Sequence, residues 1–470
     1  MIVLFGSFME TKRMSMLLCG LLMCSSFIVQ GSPMSEESAF VIITPAEFVD
    51  ELAVLQAHKQ SHGISTKIVT LDEIFSGAYF PPLGDDAAEQ VKYFIAHAYD
   101  MWNTKFVLLV GGKELMPVRE TRCCFFGENS SEIYVYYFSD LYYADLYDSQ
   151  GSFCTWDSND DGIYADKNRS GDVDSVDLYP DVCVGRILTN TESEVSTVVE
   201  KIITYENTTA GQSWFHTLVV CGADDARSLV IEAALPFLLG RLGVPVWEGE
   251  FLGNAAARIL PDFTVKKIYG SGFFRPNVKA LTIRNINEAI DEGAGFLMFN
   301  GHGSPDCAMV ANFPFLRSLW LPYPHQYSGA DVAGLSNGFK LPVALFGGCN
   351  CGDFNASDSP IAWTFVAHKT GGAIASLACS EGANMLLGSL CTKSFQGYML
   401  MSVFSSYATG TDQLGELWCD SISHYLNDPK AMALGDAFSQ FNWRHTHANH
   451  YAIEQWTLFG DPTLKIGGYP

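Results

Sequence analysis

Short apolar runs alternate along most of the chain with segments whose apolar residues recur every three or four positions, and this alternation predicts strands and helices in turn. Phe40–Ile43, Thr66–Val69 and Phe106–Val110 read as strands, separated by helices from Ala46 to about Lys59 and from Asp85 to Tyr99. A βαβαβ order implies a parallel sheet with helices on its faces and right-handed crossovers. Asp181–Ile187 follows as a short strand. Glu192–Tyr205 follows as a helix opened by Asn190 or Thr191, and it links two halves of the chain. A second alternating series begins at Leu218–Cys221 and continues with a helix near Ala226–Leu242, a strand near Val246, extended chain at Lys266–Tyr269 and a helix at Asn277–Asp291. Later elements are a helix at Pro360–Lys369, a strand at Ala373–Leu377 and helices at Met385–Tyr407 and Gln413–Leu426. The expected fold class is α/β: two adjacent α/β subdomains with mainly parallel sheets, residues 32–205 and 206–470.

Two apolar runs in the second half end in chemistry. Phe296–Phe299 stops at Asn300-Gly301-His302-Gly303-Ser304, which predicts a buried strand delivering a glycine-flanked histidine on a loop. Leu341–Phe346 stops at Gly347-Gly348-Cys349-Asn350-Cys351-Gly352-Asp353-Phe354, so a cysteine holds the corresponding place on its strand. In an open parallel sheet the carboxyl ends of strands share one edge, where ligands bind. A free thiol is mostly protonated at neutral pH, and an adjacent imidazole takes its proton or stabilises the thiolate nucleophile. Attack on an amide carbonyl develops an oxyanion, which backbone N–H groups bind only where the chain approaches closely; Gly303 and Cys349 are placed to supply them.

The pairing of a strand ending in Gly-His-Gly-Ser with one ending in Cys-x-x-Gly-Asp-Phe resembles the catalytic core of the gingipain family of cysteine peptidases, relatives of the caspase-like clan. FVIITPAEF at Phe40, KFVLLVGGKELMP at Lys105, DVCVGRILTNTESE at Asp181 and WTLFGDPTLKI at Trp456 are similar to family segments in family order, so the likeness runs from Phe40 to Ile466. It implies a caspase-like core in the second subdomain. It also implies His302 as general base, Cys349 as nucleophile, and the Gly303 and Cys349 amides as the oxyanion hole. Cutting after Arg or Lys is the family habit. Family members also carry a long propeptide before the catalytic unit and immunoglobulin-like and sorting domains after it, neither of which is expected here.

Between Tyr134 and Tyr179 the pattern gives way to Tyr, Asp, Asn and Gly, which predicts a loop insertion. Within it, Asp157-Ser158-Asn159-Asp160-Asp161-Gly162 matches the start of a calcium loop, where alternate oxygen ligands converge on a hard cation and glycine permits the tight turn. Asn168 stands where an EF-hand has its closing glutamate, so the expected ligands are Asp157, Asn159, Asp161, the Ile163 carbonyl and Asp166. A looser acidic run continues from Asp166 to Asp177. Many gingipain relatives carry a similar aspartate-rich loop.

Composition narrows the partners. Of the 470 residues 48% are hydrophobic, ample for large cores, and 52 acidic against 28 basic side chains give a formal charge of -24. Such a surface repels nucleic acid and anionic membrane and attracts cationic substrates or metal ions; protein or peptide substrates are the partners that the family resemblance implies. Lys12 and Arg13 precede an interrupted apolar stretch from Met14 to Val29, which predicts a signal peptide over residues 1–31, cleaved near Gly31, with Met14 an alternative start. No membrane span is expected after its removal, and the protein is expected to be secreted, periplasmic or on the cell surface. Lipoprotein processing at Cys19 or Cys24 is disfavoured by Leu18 and Met23. The 13 cysteines less these two leave 11, an odd number without a dense disulfide framework, and the adjacent pair Cys123-Cys124 is strained as a bridge.

Other readings compete at the same residues. Cys351 is a rival nucleophile, and His302, Cys349 and Cys351 together form an incomplete zinc set. Ala378-Cys379-Ser380-Glu381-Gly382 resembles a serine nucleophile elbow. If Cys349 is instead the nucleophile, that loop borders the cleft, and Glu381 can face a basic substrate side chain. Glu248 and Glu250 are positional guesses for a third catalytic carboxylate. His445, His447 and His450 do not share one helical face. The expected activity is that of a calcium-stabilised cysteine endopeptidase. A sortase-like transpeptidase and a non-catalytic calcium-binding surface protein are the alternatives.

Overall fold

Phe40–Thr44 (β1) and Phe106–Val110 (β3) are buried along their whole length, as parallel strands covered on both faces require. The structure is a computed structural model describing residues 37–126, 132–166, 174–223, 247–273, 275–309, 326–441 and 447–470. The signal peptide, the Ala226–Leu242 helix and the Val246 strand expected from the sequence lie outside them. Strand β1 pairs with Thr66–Thr70 (β2) on one side and β3 on the other, all parallel. The intervening helices start where local side chains satisfy their first N–H groups. Thr70 and Glu73 form a capping box at Leu71–Ser76, and the Asp86 carboxylate accepts from the Glu89 N–H at Ala87–Trp102. The helix expected from Ala46 begins as a single 3₁₀ turn, Ala46–Phe48, before Val49–Ser61 continues as α-helix.

The insertion departs from expectation. Glu120–Phe126 (β4) and Glu132–Phe138 (β5) form an antiparallel pair, so strand reaches into the stretch expected to be loop from Tyr134. The segment behind it is packed around fully buried Trp156, whose indole N–H donates to the Asp145 carboxylate at 2.9 Å. Its abundant Asp, Asn and Gly supply turns, while its tyrosines and tryptophan supply a core.

The remaining strands of the main sheet are Cys183–Ile187 (β6), Thr217–Gly222 (β7), Thr264–Tyr269 (β8), Lys279–Ala280 (β9), Phe296–Asn300 (β10), Val343–Gly347 (β14), Ala375–Cys379 (β15) and Trp456–Phe459 (β16). A separate small sheet holds His302–Ser304 (β11), Cys307–Met309 (β12) and Tyr327–Ser328 (β13). Among the described residues the main sheet has eleven strands, in the order β2-β1-β3-β6-β16-β15-β14-β10-β7-β8-β9. All neighbours are parallel except β15 and β16. The sheet therefore consists of two parallel runs of opposite direction that meet at β16. Strand order reverses between β7 and β10, a topological switch point of the kind that opens a crevice beyond strand carboxyl ends. From the helix Glu192–Thr208, the buried Lys201 ammonium donates to the Val366, His368 and Gly371 carbonyls, tying that helix to the end of the helix Ile361–Ala367.

Candidate active site

Strands β10 and β14 are paired in register, Asn300 opposite Gly347, so His302 and Cys349 each stand two residues beyond a matched pair. His302 is the first residue of β11 in the small antiparallel sheet, where the sequence pattern predicts a loop. The Pro305-Asp306 turn folds Cys307 back opposite Ser304 and gives the histidine backbone a partner strand. Both His302 and Cys349 are partly exposed.

The glycines decide how closely the two segments approach. A methyl group on Gly303 would overlap the Cys349 carbonyl oxygen and the Cys351 sulfur, and one on Gly348 would come within 2.9 Å of the His302 carbonyl oxygen. Only residues without Cβ allow the histidine and cysteine backbones to lie against each other. Asn350, directly after the cysteine, has φ 58°, in the left-handed region that Asn tolerates better than most side chains. Its N–H donates to the Glu381 carbonyl at 3.0 Å. The rest of the motif anchors the turn. Gly352 fits against Ala378, one Asp353 carboxylate oxygen accepts from the Asn355 and Ala356 N–H groups at 3.0 Å each, and buried Phe354 packs on Phe138 and Phe459.

The sulfur of Cys349 receives the Ala383 N–H at 3.3 Å, a contact favourable to negative charge on sulfur. Cys351 is fully buried, and burial pushes its thiol up, as suits an inert packing residue rather than a nucleophile. Ser380 is likewise buried, its hydroxyl donating to the Phe138 and Gln455 carbonyls at 2.8 and 3.0 Å, so the elbow-like sequence around it presents no hydroxyl to a cleft. Burial also raises Glu381, against hydrogen bonds from the Gly382 N–H and the Asn350 side chain that lower it. Glu381 belongs to the loop that touches Cys349, through its carbonyl to the Asn350 N–H and through the Ala383 N–H to the sulfur. The Ala383 amide was beyond reach of sequence reasoning, because a backbone donor leaves no side-chain signature.

The two positional guesses for a third carboxylate are engaged elsewhere. Glu250 accepts from the Ser271 N–H and hydroxyl at 2.8 and 2.9 Å and is pushed up to about 7 by burial; Glu248 accepts from the Gly388 N–H at 2.6 Å. His447 and His450 have ring centroids 5.9 Å apart, and His445 lies outside the described residues.

In the acidic loop, Asp157, Asn159 and Asp161 come together. The two Asp157 oxygens accept from the Asp161 and Gly162 N–H groups, the Asn159 amide oxygen accepts from the Asp161 N–H, and Asp161 accepts from the Ile163 N–H. Gly162 has φ 77°, supplying the left-handed turn expected of the glycine. Asp166 departs from this group: its carboxylate forms a two-pronged ion pair with Arg122 at 2.9 and 2.7 Å. Among the described residues no group of three or more His, Cys, Asp or Glu side chains is gathered as for a metal. The oxygens of Asp157, Asn159, Asp161 and the Ile163 carbonyl, within seven consecutive residues, still have the hard character that calcium takes.

Residues 34–467 match peptidase family C25. Gingipain R2 of Porphyromonas gingivalis is 20% identical over 435 residues, covering 92% of this chain and 46% of that protein. Gingipain R1 of the same organism is also 20% identical over 435 residues, covering 92% of this chain and 34% of its own length. The chain thus spans less than half the length of these curated relatives. Among solved structures, the Arg-specific cysteine proteinase gingipain R (RgpB) superposes with a TM-score of 0.58 at 16% identity, over 93% of this chain and 79% of that one. The complex of Porphyromonas gingivalis RgpB pro- and mature domains gives 0.58 at 17% identity, over 91% and 79%. At such identities the likeness shows a common fold, and the site must be argued from its own residues.

Proposed function

Since the chain belongs to peptidase family C25, we propose that it is a cysteine endopeptidase in which Cys349 is the nucleophile and His302 the general base. The observation that carries this reading is the register of β10 and β14 with Gly303 closed against Cys349, while Cys351 and Ser380 are buried in other contacts. His302 takes the thiol proton, and the sulfur attacks the scissile carbonyl carbon. The N–H groups of Gly303 and Cys349 bind the oxyanion, and His302 passes its proton to the departing amine. Water, deprotonated by His302, then attacks the thioester, releasing the acid and restoring the thiol. The Ala383 N–H holds the sulfur and favours its charged form. Glu381, on the same loop, is the proposed partner for a basic substrate side chain.

Calcium is proposed as a structural ion held by Asp157, Asn159, Asp161 and the Ile163 carbonyl; when bound it neutralises and ties down the acidic loop. Export is proposed from the charged and apolar amino-terminal segment. No helix among the described residues is long and apolar enough to cross a membrane.

The decisive experiment is cleavage of a peptide library by Cys349→Ala and Cys351→Ala variants. Cys349→Ala is expected to lose activity completely and iodoacetamide labelling at that position, with its melting curve intact. Cys351→Ala is expected to keep most of its activity. Full activity in folded Cys349→Ala would overturn the assignment, and products carrying an added amine would mark a transpeptidase.

A further inference from the structure

Away from the site, two thiols distant in sequence face each other where the start of β6 meets the helix Leu414–Asn427. The Cys419 sulfur lies 3.9 Å from the carbonyl oxygen of Val182, the residue before Cys183. A Cβ built on Gly415, one helical turn before Cys419, would lie 2.8 Å from the Cys183 Cβ, so the helix presents a bare patch into which Cys183 fits. The thiols also interact: a hydrogen bond with Cys183, then burial, pushes the Cys419 thiol well up. Both cysteines are free and only partly buried.

We propose that Cys183 and Cys419 are a disulfide-forming pair that staples β6 to the helix Leu414–Asn427 when the protein meets an oxidising environment. The oxidant is a small-molecule disulfide. The Cys183 thiolate attacks one of its sulfurs and releases one thiolate. Cys419 gives up its proton to solvent and attacks the Cys183 sulfur of the mixed disulfide, releasing the second thiolate. Two protein thiols are oxidised by two electrons, and one disulfide is reduced to two thiols. The pair is separate from Cys307, Cys349, Cys351 and Cys379, which cluster at the candidate active site. The link would join strands and helices from opposite halves of the chain, where a covalent tie restricts the unfolded ensemble most.

The test is to incubate the full chain with oxidised glutathione, block free thiols with iodoacetamide, digest, and map the peptides without reduction. The expected result is one cross-linked pair of peptides containing Cys183 and Cys419, abolished by dithiothreitol. Oxidation should also raise the thermal midpoint by roughly 3 °C or more, a rise absent from Cys183→Ser and Cys419→Ser. Alkylation of both residues after oxidation, glutathione retained on either, a link to another cysteine, or an equal rise in the serine variants would each overturn the proposal.

Discussion

Cys349 and Cys351 are two residues apart, yet one sulfur is partly exposed and receives a backbone N–H, whereas the other is sealed beneath Gly303. The left-handed turn at Asn350 breaks the alternation that would put residues two apart on one side, so the two sulfurs meet different surroundings, and surroundings set thiol reactivity. The cysteine is legible in the sequence because it closes an apolar strand after two glycines, an unusual place for a packing residue. The donor to its sulfur is not legible, since it reaches across 34 residues from a loop whose path no local pattern fixes. Glu250 offers a separate test at this scale. Its carboxyl is held near 7 by burial against an ordinary value of 4.5, so between those pH values the folded protein keeps a proton that the unfolded chain has released. Its contribution is fully present below pH 4.5 and is lost as pH rises through about 7. Relative to Glu250→Gln, urea unfolding of the wild type is expected to show a stability loss approaching roughly 3 kcal/mol over that window. A pH-independent difference would show that the burial is relieved in solution.

Strand pairs and turns carry the arrangement from residues to site. The apolar runs of β10 and β14 were readable because unbroken Phe, Leu, Met, Val and Ala residues fill them and glycines end them abruptly. Their register was not, because it is set by the partner strands β7 and β15, far away in sequence. The β4–β5 hairpin shows the reverse difficulty: its aromatic alternation is present, but the adjoining Asp- and Gly-rich stretch gives the region the texture of loop. At this scale Gly303→Ala is expected to force β11 away from the cysteine turn, lowering kcat/KM at least about a hundredfold, a size typical of a lost oxyanion donor. Comparable activity in Gly303→Ala would mean that β11 yields without disturbing the site. In the acidic loop, a calcium chelator is expected to lower the thermal midpoint of the wild type by a few degrees but leave Asp157→Ala unmoved; identical shifts in both would place the ion elsewhere.

Over the whole molecule, the formal charge of -24 acts as a long-range field that draws cationic chains toward the surface. With peptides carrying Lys or Arg, kcat/KM is expected to fall several-fold as salt rises from about 0.01 M to about 1 M, while a neutral peptide changes little. Equal salt responses would confine recognition to short-range contacts. Two α/β series are evident from the alternating pattern, but their union in one sheet is not, because it depends on four residues, Trp456–Phe459. That strand, the last described in chain order, lies centrally and bonds both runs. A ribosome must therefore deliver the chain as far as Phe459 before the halves can be zipped together, and until then β6 and β15 each have an open edge. Nascent chains arrested short of Trp456 should be sticky, chaperone-bound species, prone to pairing with one another along those borders.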